Sequence, residues 1–150
     1  MSERDRYPSG IPCWTVALQA DPRSGADFYA ALFGWEIVSS AGGREGEFLL
    51  ARLRGRDVAA IAPVPDGEPP VAAAWMTHVR VDSVQATAAP RWSVDFWVEG
   101  ADATARLATE LGGTVVTEPH DAPPFRQAVL ADPEGAAFSI SELVTVPAPA

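Results

Sequence analysis

The feature that most constrains this chain is an order of signals met twice: a strand, a helix, then three more strands. In the first half, residues 14–19 form a β-branched and apolar run that Asp21-Pro22 breaks. Ser24 is placed to cap a helix, with Asp27 three residues on as an approximate capping box. Phe28 with Leu32 and Tyr29 with Phe33 are i,i+4 pairs on one helix face, and Gly34 stops the helix. Strands are expected at 35–40, 48–53 and 58–64, with Ala41-Gly42-Gly43 as a turn. The second half repeats the order. A strand at 92–98 precedes a helix whose buried stripe is Ala103, Leu107 and Leu111, and strands follow at 114–117, 126–131 and 137–144. Gly112-Gly113 ends that helix, and Asp132-Pro133-Glu134-Gly135 makes a tight turn between the last two strands.

One βαβββ unit covers a single sheet face with its helix and leaves the other face open. Two such modules joined edge to edge predict an α+β fold, a half-open, eight-stranded, barrel-like sheet. Its helices would lie outside, and a concave apolar face inside would suit a small molecule. The 150 residues fit one such domain over about 11–143, with modules at about 11–64 and 92–143 and flexible tails at 1–10 and 144–150. Residues 65–91 are too long for a simple connector. Within them 74–82 reads as an extra strand, followed by an alanine-rich turn that Pro90 ends. Trp75 and Trp92 can each start the second module. Trp92 is preferred, because its helix runs on to Gly112-Gly113.

Composition narrows the chemistry. All 11 basic residues are arginine, which removes lysine Schiff bases and the Gly-Lys pair of a phosphate-binding Walker loop. Twenty acidic residues leave a formal charge of −9, which disfavours nucleic acid and anionic membranes as partners. Cys13 is the single cysteine, so there is no intrachain disulfide and no cysteine cluster for a metal. With no apolar run of roughly 20 residues and no apolar h-region at the start, a cytoplasmic protein is expected.

Several segments resemble a known family. Trp14, Asp21-Pro22, Phe28-Tyr29 and Leu32-Phe33-Gly34-Trp35-Glu36 resemble the opening of the glyoxalase/bleomycin-resistance, or vicinal oxygen chelate, superfamily. Leu111-Gly112-Gly113 and Asp132-Pro133-Glu134-Gly135-Ala136 with Phe138 resemble its second-half signature. The Phe33-Gly34-Trp35 form is similar to an actinobacterial glyoxalase-like branch. The resemblance covers residues 11–143 apart from 65–91 and implies the fold above. Members of the family isomerise, cleave rings, open epoxides or simply bind drugs, so it implies no single reaction. It also implies where metal-dependent members carry His, Glu or Gln. Those positions fall on Trp14, near Ala60, on or next to Ser93, and on Ser139. Tryptophan and alanine cannot ligate and serine is a poor ligand, so neither metal nor cofactor is expected.

Alternation along 92–98 sets Ser93, Asp95 and Trp97 on one face and Val94, Phe96 and Val98 under the helix. The expected ligand-binding set is Trp14 and Val16; Ser93, Asp95 and Trp97; Ser139 and Ser141; Phe125 and Arg126; and His78 on the extra strand. Trp14, Trp97 and Phe125 form an aromatic set able to stack on a flat ligand, although each also reads as core. Asp95 reads either as a carboxylate in an apolar cavity, able to act as a base, or as an ion-pair partner of Arg126 or Arg52. His78 reads as a polar group reaching the cavity or as a surface residue on an inserted strand. Glu118, His120 and Asp121 are able to grip a cation, but the prolines around them suggest a solvated rigid loop. Tyr29 and Trp35 are assigned to the core, and Cys13 to packing. The leading expectation is a metal-free protein that binds a small, flat, weakly polar organic molecule, aromatic ones included. It would act as a sequestering module or a cofactorless enzyme, and as a two-fold homodimer. Two alternatives stand beside it. One is a metal-dependent lyase or dioxygenase with its ligands elsewhere; the other is a protein-interaction module whose cavity its own side chains fill.

Overall fold

The break at Asp21-Pro22 sets the first boundary of the computed structural model, which describes residues 8, 10–39, 48–64, 72–79 and 93–144. Strand β1 (Pro12–Gln19) ends there and helix α1 (Pro22–Phe33) begins. The cap is Asp21, not Ser24: the Asp21 carboxylate accepts from the backbone N–H of Arg23 and of Ser24. The shift has a simple cause, since proline is well placed at the first helical position, where no N–H bond is lost. Gly34 closes the helix in the left-handed region (φ 67°), its N–H returning to the Ala30 carbonyl. Strands β2 (Glu36–Ser39), β3 (Leu49–Leu53), β4 (Arg56–Pro63) and β5 (Ala74–Val79) follow. The second half comprises β6 (Asp95–Trp97), α2 (Ala101–Glu110), β7 (Thr114–Ala122), β8 (Phe125–Ala131) and β9 (Ala137–Leu143). No helix among the described residues is long and apolar enough to cross a membrane. The expected turn at 41–43, the alanine-rich turn that Pro90 ends, and Trp92 lie outside the described residues.

The α+β class and the repeated module order hold, and the strands divide between two sheets. The first has the order β2-β3-β4-β1-β5, the second β6-β9-β8-β7. In each, the strand before the helix runs parallel to the last strand of the module: β1 beside β4, β6 beside β9. The extra segment supplies β5, which joins the first sheet antiparallel to β1. Among the described residues no ladder links the two sheets, so the architecture is two mixed sheets and no closed barrel.

Nor do the helices lie on the outside. One buried cluster takes in α1, α2 and the helix-side faces of both sheets. Aromatic side chains fill its centre. Tyr29 lies 5.1 Å from Trp75 and 5.7 Å from Phe138, and Phe33 lies 4.7 Å from Phe96. These rings come from α1, β5, β6 and β9, so burying them together draws both helix-bearing faces inward. Each open sheet face therefore points away from this shared core. Gly113 shows how close the packing is: a Cβ there would sit 2.7 Å from the Ala131 carbonyl oxygen and 3.1 Å from the Phe28 ring. Two local expectations change as well. The buried stripe of α2 is Ala101, Ala105 and Ala108, while Ala103 is exposed. The run Glu118-Pro119-His120 is no loop but part of β7, accommodated by register shifts against β8.

Candidate functional site

Directly paired residues of neighbouring strands share a sheet face. On the second sheet, register places Trp97, Ser141, Gln127 and His120 in one row across β6, β9, β8 and β7. The next row is Asp95, Ser139, Val129 and Thr117; on the other side, Leu143, Phe125 and Ala122 form a third. All of them lie on the open face, as the alternation of β6 requires: Val94, Phe96 and Val98 pack into the core.

This face has a wall and a polar floor. Trp97 is 70% exposed, and its ring lies 5.6 Å from that of Phe125. Beneath them, Gln127 Nε2 donates to Ser141 Oγ (3.0 Å), and Ser141 Oγ donates to Asp95 Oδ1 (2.9 Å). Ser141 is 2% exposed, so its hydroxyl has few alternatives to this chain. Accepting from Gln127 on one side fixes its proton toward Asp95 on the other. Ser93 Oγ and Ser139 Oγ lie 3.3 Å apart alongside.

Six of the expected residues are thus brought together: Ser93, Asp95, Trp97, Phe125, Ser139 and Ser141. Trp14, Val16 and His78 are on a different surface, the open face of the first sheet, where Trp14 pairs with His78 and Val16 with Met76 and Ala60. That face carries its own apolar cluster of Val16, Leu18 and Ala60, flanked by Trp14, Phe48, Leu50, Ala62 and Val64. The aromatic set of Trp14, Trp97 and Phe125 is therefore a pair, Trp97 and Phe125, with Trp14 apart. Arg126 falls on neither open face. It alternates out of phase with Phe125 and Gln127, and its guanidinium binds Asp102 of α2 and Asp121 of β7. Its hydrogen bond holds the Asp102 carboxyl below the usual range. Asp95 accordingly takes no ion pair from Arg126, and Arg52 is held by Asp57 at 2.6 Å. Gln127 and His120 were not in the expected set. Counting alternate residues from Phe125 finds Gln127, whereas His120 is placed only by the irregular register of β7.

The four positions where the family resemblance implies metal ligands do not fit a divalent ion. Ala60 presents a fully buried methyl group, Trp14 an indole, and Ser93 and Ser139 two neutral hydroxyls. Among the described residues, no group of three or more His, Cys, Asp or Glu has a metal-holding arrangement.

A second polar cluster is buried between the modules. Asp132 accepts four hydrogen bonds: Tyr29 Oη and Gln19 Nε2 reach Oδ2, and the N–H groups of Glu134 and Ala136 reach Oδ1. Trp75 Nε1 donates to Tyr29 Oη at 2.7 Å. The Glu134 carboxylate accepts from the N–H groups of Ala20 and Asp21, at the entry to α1. The turn expected to join β8 and β9 therefore also ties the second module to the first. Burial, and next the Asp132 charge, push the Tyr29 phenol far above the ordinary tyrosine range.

Comparison with known proteins agrees with this architecture. The sequence profile of the Glyoxalase-like domain matches residues 14–141. CFP32 of Mycobacterium bovis, which carries the name of a glyoxylase, is 33% identical over 145 residues, covering 93% of this chain and 48% of its own length. DnrV of Streptomyces peucetius, named as an anthracycline biosynthesis protein, is 56% identical over 54 residues, 36% of this chain and 20% of DnrV. The chain spans about half the length of CFP32 and less of DnrV. TnmS3, an antibiotic binding protein from Streptomyces sp. CB03234, matches in fold with a TM-score of 0.58 at 18% identity, covering 94% of this chain and 99% of its own.

Proposed function

This chain belongs to the glyoxalase-like domain family, and from that premise we propose that it reversibly binds a small, flat, weakly polar organic molecule on the open face of the second sheet, without a metal. One observation carries the reading. The exposed Trp97 ring stands beside Phe125, over a hydrogen-bonded floor of Asp95, Ser141 and Gln127, while the aromatic residues of the core are buried. A half-free aromatic pair next to fixed polar groups offers stacking area and orientation together. The names of TnmS3 and DnrV, which speak of antibiotic binding and of anthracycline biosynthesis, support the same ligand class.

Sequestration suits these residues better than turnover. The Ser141 hydroxyl is buried and committed as a donor to Asp95, so it orients the carboxylate and is poorly placed to attack a ligand. A metal-dependent lyase or dioxygenase would need donors that Trp14, Ala60, Ser93 and Ser139 do not supply. The reading includes a two-fold dimer and a cytoplasmic location. The half-buried apolar side chains around Val16, Leu18 and Ala60 on the first sheet, with Met76 45% exposed at their margin, support the dimer. The lone Cys13 supports the location.

A thermal-shift screen against polycyclic aromatic metabolites tests the binding role. A ligand that binds only the folded state must raise the melting temperature, by an amount that grows with the logarithm of its free concentration above Kd. At least one planar compound is expected to do so for the wild type and to lose the effect in Trp97→Ala. A shift retained in full by Trp97→Ala would move the site elsewhere.

A further inference from the structure

We infer that the ligand of this face carries a protonated amine beside its planar ring, an inference that rests on the binding role proposed above. Asp95 supplies the carboxylate of this polar floor. An ionised carboxylate only accepts hydrogen bonds, with room for about four. The described residues give it one, from Ser141 Oγ to Oδ1. The Gln127 amide, the other donor in that row, is directed at Ser141. No ion pair to Asp95 is found among the described residues. Arg126, the one arginine of β8, is turned to the opposite side of the sheet and shared by Asp102 and Asp121. The chain contains no lysine.

The surroundings of Asp95 favour an ammonium group over a bare metal ion or a neutral donor. Asp95 and Trp97 are alternate residues of one short strand, so the carboxylate and the exposed indole stand side by side on the same face. An ammonium group between them would be attracted by the carboxylate charge and by the face of the indole ring. Its attached planar ring would then extend across the second-sheet row toward Phe125, whose ring is 5.6 Å from Trp97. The Ser93 and Ser139 hydroxyls beside Asp95 add neutral oxygens that accept from the remaining ammonium protons. The chain from Gln127 through Ser141 keeps the carboxylate aimed before any ligand arrives, so little ordering remains to be done on binding.

Ring-matched probes separate this inference from the binding role beneath it. Calorimetric titration at 0.15 M salt would compare 9-(aminomethyl)anthracene, whose primary amine is protonated at neutral pH, with 9-(hydroxymethyl)anthracene, its neutral counterpart on the same ring, on the wild type and on Asp95→Asn. Asparagine keeps the shape of the side chain and can still accept from Ser141, and a thermal melt confirms that the variant folds. The expected result is at least tenfold tighter binding of 9-(aminomethyl)anthracene than of 9-(hydroxymethyl)anthracene to the wild type. In Asp95→Asn that preference should fall to threefold or less. Equal binding of the two probes to the wild type overturns the inference and leaves the binding role standing. A cation preference that survives Asp95→Asn also overturns it, because the preference would then come from the overall charge of −9. Failure of both probes to bind counts against the binding role itself, and the inference falls with it.

Discussion

Trp97 and Trp35 are chemically identical side chains with opposite duties, and exposure separates them: 70% for Trp97 against 8% for Trp35. Trp35 stacks against Tyr29 and touches Phe33 and Phe96 in the core. Trp35→Ala is expected to cost about 3–5 kcal/mol of stability, as truncation of a core aromatic does. Trp97→Ala should leave stability within about 0.5 kcal/mol, while ligand binding weakens by about 1–3 kcal/mol. Urea denaturation and calorimetry on the same two variants decide it, and a reversed pattern would place the site on the wrong face. Tyr29 gives a sharper stability test. Tyr29→Phe removes a donor to Asp132 and leaves the Trp75 N–H without its acceptor, a loss of about 1–3 kcal/mol for buried polar groups. The pH dependence has a definite sign. The folded-state pKa of Tyr29 is raised, so the folded protein holds the phenolic proton where the unfolded chain would release it. The contribution is complete below the unfolded value of about 10 and declines as pH rises beyond it. Of the two tyrosines, at most one should ionise in a native-state alkaline titration followed by phenolate absorbance. Release of both before unfolding would contradict the buried contact.

At the scale of elements, helix α1 depends on its cap. Asp21→Ala should cost about 1 kcal/mol, whereas Ser24→Ala should cost a few tenths at most, because only Asp21 satisfies the free N–H groups of the first turn. Thermal melts of the two variants report the difference, and equal losses would return the cap to Ser24. Helix α2 shows a different effect. Its larger apolar residues, Leu107 and Leu111, are only half-buried, and the alanines at 101, 105 and 108 face the core. Small side chains bring a helix close to its sheet, and the leucines then cover the flank of the contact. Strand β7 continues through Pro119 because register shifts against β8 absorb the residue that cannot join the ladder.

For the whole molecule, two faces pointing away from a shared core leave the first sheet with half-buried apolar side chains around the buried Val16, Leu18 and Ala60, and the second with the ligand-binding candidates. A homodimer that covers the first is expected, and light scattering at micromolar concentration should give twice the mass of 15.9 kDa. Met76→Glu, on the rim of that face, should shift the population toward monomer without lowering the melting temperature by more than a few degrees. A wild type that is already monomeric would defeat this. Elemental analysis after chelator-free purification should find well under one equivalent of divalent metal. A stoichiometric ion held by side chains of either open face would revive the metal-dependent reading.

Much of this was legible in the sequence alone, because much of it is local. The alternation of β6, the left-handed stop at Gly34, the tight turn at Asp132-Pro133-Glu134-Gly135 and the repeated order of elements all depend on neighbours within a few residues. Period-two and 3.6-residue patterns encode such relations directly. They were enough to place Ser93, Asp95 and Trp97 on one face and to give Ser139 and Ser141 to the same candidate set. What the tertiary structure decided was which face meets which. The alternation of a strand fixes two sides but does not say which sheet another module will cover, so Trp14 and Trp97 were expected in one cavity and stand on separate sheets. Arg126 shows the same limit: its partners Asp102 and Asp121 are chosen by the fold around it. Asp132 is the furthest from local reading. A carboxylate in a turn reads as a turn residue until Tyr29 and Gln19, more than a hundred positions away, are folded against it. Burying those donors from the first module against a charged acceptor from the second is a long-range event, and only the packed core brings it about.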